Sequence, residues 1–165
     1  MEKAKIKSIV KKVCIGLLLA LVVIQFFHPE KNANATVSPL DITVMYPMPD
    51  SVHQVLQKAC YDCHSNNTKY PWYSNLQPVS WWLNDHISEG KKELNFSEFG
   101  SRKLAKQAKK LKKVAKEIKE GDMPLDSYTW IHKEAVLTDR EKNMIMDWAT
   151  NLSQQIAAQV PPENK

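Results

Sequence analysis

The run Asp50-Ser-Val-His-Gln-Val-Leu-Gln-Lys-Ala-Cys60-Tyr-Asp-Cys63-His64 carries two signals at once. Its apolar residues Val52, Val55, Leu56 and Ala59 recur at i, i+3, i+4 and i+7, the spacing of one helix face. Asp50 or Ser51 is placed to cap that helix. The helix then delivers the chain into Cys60-x-x-Cys63-His64. Two thiols three residues apart can add to the two vinyl groups of one haem, and the histidine that follows can reach the iron from the same side.

Other chemistries use paired cysteines, and each asks for something different. A disulfide redox motif needs a preceding strand in a βαβ setting, whereas a helix precedes this pair. A structural zinc site needs four ligands, normally with a second pair at short spacing. The third cysteine, Cys14, lies in an apolar N-terminal run. A plain disulfide between residues so close would close a small, strained ring. Haem attachment is the favoured reading, with redox and metal readings behind it.

Downstream of the motif the pattern stays helical. Residues 65–77 form a polar, aromatic loop, and Pro78 opens a second helix with the stripe Val79, Trp82, Leu83, His86 and Ile87, ended by Gly90. After a loop with Phe96 and Phe99, Ser101 can cap a third helix, with Leu104, Ala108, Leu111, Ala115 and Ile118 on one face and basic residues on the others. Gly121 closes it. Thr138-Asp139-Arg140-Glu141 has the capping-box form and starts a last helix through Met144, Ile145, Trp148, Leu152 and Ile156. No strand alternation or repeat is evident. The expected fold is all-α, with four helices around one core in residues 50–156 and a flexible tail over 157–165.

A sixth iron ligand is usually Met or His. Met123 is the best candidate, in the turn Gly121-Asp122-Met123-Pro124, with ample chain after His64 to wrap a haem. His86 is its rival, although a histidine on an apolar stripe is more often part of the core. Trp72, Tyr73, Trp81 and Trp82 are expected to wall a flat apolar cofactor, and the alternative for such a cluster is a sugar-stacking platform.

The 165 residues are 43% hydrophobic and 25% charged, with a net charge of +5 and a pI near 9.0. This composition excludes a disordered chain and a disulfide-stapled scaffold. The charge first suggests nucleic acid, but its location argues otherwise. Residues 1–35 hold six lysines and two glutamates, which leaves 17 basic and 16 acidic residues elsewhere. Lys3, Lys5, Lys7, Lys11 and Lys12 precede the apolar run Val13–Phe27, the form of an export signal. An uncleaved signal anchor over residues 1–27 is favoured, followed by a tether over 28–49. The bare run is short against the roughly 17–25 residues a span needs, unless Lys11 and Lys12 snorkel. Cleavage after Ala35, at Ala33-Asn34-Ala35, is the alternative. The lysines would hold the N-terminus in the cytoplasm and export the rest. Arg102–Lys119 holds nine basic residues against Glu117 alone, a face that would suit an acidic redox partner or an anionic lipid surface.

Several separated motifs then converge on one family. Residues 60–75, Pro78-Val79-Ser80-Trp81-Trp82, Leu94-Asn95-Phe96-Ser97-Glu98-Phe99 and Gly121-Asp122-Met123-Pro124 occur in order over about residues 45–152. The chain resembles the haem-binding domain family of exported bacterial proteins. The resemblance implies one haem c per chain on Cys60 and Cys63, with His64 as proximal ligand. The Met-Pro turn before a capped terminal helix is similar to small class I cytochromes c, which supports Met123 as distal ligand and a cytochrome c-like helical domain. An electron carrier at the inner membrane, with its haem domain on the periplasmic side, is expected ahead of a catalyst. The competing functions are a haem enzyme or a gas or peroxide sensor with an open distal face, and a non-haem metal or interaction module.

Overall fold

The structure, a computed structural model, describes residues 2–33 and 36–161. The cut considered after Ala35 and the last four residues of the tail therefore lie outside the described residues. Among the described residues eight α-helices run in the order α1 Glu2–Ile24, α2 Ile42–Met45, α3 Asp50–Ala59, α4 Tyr61–His64, α5 Val79–Glu93, α6 Leu104–Glu120, α7 Asp126–Thr129 and α8 Asp139–Ala158, with short 3-10 turns between some of them. The described residues hold no strand, only an isolated bridge between Ala33 and Asn67. The all-α expectation holds.

The chain divides into two units, one of residues up to Lys31 with Tyr70–His86, the other of Asn32–Lys69 and the chain from Ile87 onward. In the first, α1 is exposed on all sides over residues 3–23. No helix among the described residues is long and apolar enough to cross a membrane. The chain just after α1 is held by side chains. The Gln77 amide nitrogen and the Trp81 indole N–H both donate to the Phe27 carbonyl at 2.8 Å, and Gln25 exchanges hydrogen bonds with the Gln77 backbone.

The second unit is built on the pairing of α6 with α8, and α3 packs against α8. The core draws Val52, Val55 and Leu56 from α3, Ala108, Leu111 and Ile118 from α6, and Ile145, Trp148, Leu152 and Ile156 from α8, together with Phe96 and Phe99. The Ser153 hydroxyl donates to the Ala108 carbonyl at 2.8 Å, and Lys58 meets Glu141 at 2.6 Å. Ile42, in the segment expected as tether, is fully buried in this core, and Asp41 caps its short helix by accepting from Thr43 N–H.

Helix ends follow capping chemistry, with three departures from expectation. Thr138 and Glu141 form the full capping box of α8, and Gly121 ends α6 at φ +82°. Asp50 does not cap α3. It is the first helical residue after Pro49, where its carboxylate complements the positive end of the helix dipole. Ser101 does not cap α6 either, since its hydroxyl donates back to the Glu98 carbonyl inside the preceding 3-10 turn. Gly90 does not end α5, which continues three residues to Glu93.

Candidate functional site

The Cys60–His64 segment is a single helical turn following α3. The Cys63 and His64 N–H groups both donate to the Cys60 carbonyl, at 3.2 and 2.9 Å. The residues beyond it lock this turn. Asp62, between the cysteines, accepts from the Tyr128 hydroxyl at 2.7 Å and the Lys69 N–H at 3.0 Å, while its carbonyl takes the Thr68 hydroxyl at 2.6 Å. Ser65 is buried, with its hydroxyl on the Tyr61 carbonyl. Asn32 then donates to the Ser65 carbonyl and the Thr68 hydroxyl.

His64 Nδ1 lies 2.9 Å from the Leu94 carbonyl oxygen. A carbonyl only accepts, so Nδ1 carries the proton and Nε2 keeps its lone pair, as metal-ligating histidines require. Burial lowers the His64 pKa and favours the neutral ring. Phe96 meets the ring edge-on, with centroids 6.4 Å apart. Cys60 and Cys63 are not joined in a disulfide. Burial is the main cause that pushes their thiols up, Cys60 to about 12 and Cys63 to about 11, with the Asp62 carboxylate adding to the rise at Cys63. Both groups are therefore protonated thiols.

Cys60, His64 and Phe96 border a cavity with about 670 Å³ of atom-free space, counting the part open to solvent. Cys60, His64 and Met123 line it together, and Ala59, Leu94, Phe96, Val114, Ile118 and Pro124 supply apolar wall. Cys63 is not in that lining. A Cβ on Gly90 would lie 2.7 Å from the Cys63 carbonyl oxygen and 3.1 Å from its Cβ. Only a glycine lets α5 pass so close to the motif.

The remaining sequence candidates belong to the first unit. There the His86 ring lies tilted against Trp82 with centroids 4.2 Å apart and hydrogen-bonds the Trp82 carbonyl. Trp72, Tyr73, Trp81 and Trp82 are in that unit too, and none of them lines the cavity. Trp72 is 77% exposed.

Sequence reasoning missed Gly90, Leu94, Tyr128 and one charged corner. Lys110 and Lys113, expected on the solvent side of α6, line the cavity with Glu93 and Glu117. The two lysine hydrogen bonds hold the Glu93 carboxyl at about 2. Leu94 and Phe96 sat inside a quoted motif, but nothing local marks the others.

The donor set suits haem: two reduced thiols, a neutral imidazole with one nitrogen committed to a carbonyl, a thioether and an apolar lining. A model of the haem-binding domain family matches residues 19–151. No curated protein and no solved structure matches the chain. With that match covering most of its length, the chain belongs to the haem-binding domain family.

Proposed function

We propose that this chain is a mono-haem c-type domain that moves single electrons on the outer side of the cytoplasmic membrane. The observation that carries the proposal is the shared cavity of Cys60, His64 and Met123, with His64 Nδ1 bound to the Leu94 carbonyl. In this reading each thiol of Cys60 and Cys63 adds across one vinyl group. A sulfur–carbon bond forms and the thiol hydrogen passes to the other vinyl carbon, so no oxidant is needed. His64 Nε2 serves as proximal ligand and Met123 as distal ligand. When bound, the haem supplies a one-electron couple whose potential a methionine ligand raises. The protein holds the axial groups and keeps one side of the site dry with Phe96, Val114 and Ile118.

The exposed apolar surface of α1 behind its lysines supports an anchor, and the basic stretch Arg102–Lys119 supports docking of an acidic redox partner. The test is expression of the full chain with c-haem maturation machinery. The expected result is haem that stays with the polypeptide on a denaturing gel and gives a c-type pyridine haemochrome. A folded chain free of covalent haem, where a control cytochrome matures, overturns the reading.

A further inference from the structure

The cavity is apolar except at one corner. There Lys110 and Lys113, one turn apart on α6, both bring Nζ to the same oxygen of Glu93, Oε2, at 3.1 and 3.0 Å. The Lys110 side chain is only 17% exposed, and Val114, one turn on, lines the same cavity. Glu93 ends α5, where a carboxylate faces the negative end of the helix dipole. The two lysines hold it against that field. Its own side chain is 56% exposed, so it can leave toward solvent.

A haem is an apolar disc with two propionate carboxylates on one edge. A cavity for it needs apolar walls and one place that accepts two negative charges. We propose that Lys110 and Lys113 form the propionate-binding edge of this cavity, and that the Glu93 carboxylate occupies that edge in the haem-free chain. The inference rests on the haem reading above and adds the orientation of the bound group. Charge counting makes Glu93 a competitor. Two propionates match two lysines, and a third carboxylate on the same pair would leave the corner net negative. Glu117, also in the lining, adds to that excess, so haem entry sends Glu93 outward.

The test uses the haem-free full-length chain titrated with haemin and with haemin dimethyl ester, whose propionates carry no charge. Charge-assisted hydrogen bonds that are half exposed predict a preference for haemin of roughly tenfold, shrinking as salt rises. The K110Q/K113Q pair loses the preference, K110R/K113R keeps it, and Glu93→Gln tightens haemin without tightening the ester. On the matured full-length chain, the propionate bending band in resonance Raman shifts in K110Q/K113Q and returns in K110R/K113R. Equal binding of both porphyrins by the unaltered chain, or an unmoved band, overturns the lysine assignment and leaves the haem reading intact. A chain that takes up neither porphyrin and matures without haem overturns both.

Discussion

At Gly90 the sign of a substitution tells a helix position from a contact position. Glycine to alanine inside an ordinary helix stabilises by about 0.5–1 kcal/mol. Here the added Cβ would meet the Cys63 carbonyl oxygen at 2.7 Å, so Gly90→Ala is expected to destabilise by about 1–3 kcal/mol, as overpacking does. Urea unfolding of the haem-free chain reads this directly, and a gain in stability would contradict it. Tyr128→Phe removes the hydroxyl that donates to Asp62 inside the motif. The expected cost is about 1–2 kcal/mol, measured the same way, with a lower yield of covalent haem. Neither residue was legible beforehand. A glycine near the end of an apolar stripe reads as a terminator, and its true neighbour lies 27 positions earlier in the chain.

Among the elements, α8 and α6 were the most legible, because their signals are local. Thr138 and Glu141 lie three residues apart, and Gly121 adopts the left-handed conformation that glycine tolerates best. The charged corner escaped because Glu93 comes from another helix, 17 and 20 residues before its lysines. On the sequence alone Lys110 and Lys113 are two more cations on a basic face.

Glu141 serves two elements, closing the capping box of α8 and pairing with Lys58 of α3. The Lys58 hydrogen bond is the first cause that lowers its pKa, ahead of the Thr138 backbone. A carboxyl depressed in the folded state contributes stability above its unfolded pKa and loses it as pH falls through the folded one. Glu141→Gln should therefore cost about 1 kcal/mol near pH 7 and flatten the acid limb below about pH 4.5. Denaturant melts at both ends of that range decide it, and an unchanged acid limb would reject the coupling.

On the scale of the whole molecule, the chain joins an exposed apolar helix to a helical unit with a buried core. The proposed anchor asks more of α1 than its length gives. Lys7, Lys11 and Lys12 lie within a helix that ends at Ile24, so crossing depends on lysine stems reaching the interface and on Phe26 and Phe27 extending the apolar run. The expected outcome is a full-length protein that stays with the membrane fraction through an alkaline wash and keeps its first residues by N-terminal sequencing. A soluble product beginning after Ala35 would contradict the anchor without touching the haem site. The helical class and the cysteine–histidine turn were readable from periodicity and spacing. The cavity was not, because its wall is assembled from α3, α4, the end of α5, α6 and the Met123 turn, which only tertiary packing brings together.

The central claim is a covalent haem held between His64 and Met123, and the optical spectrum of the matured full-length protein tests it most directly. The expected result is a low-spin iron with a methionine-to-iron charge-transfer band that disappears in Met123→Ala, while the haem stays attached. A high-spin iron in the unaltered protein that binds carbon monoxide without displacing a ligand, or a band that survives the substitution, would contradict it.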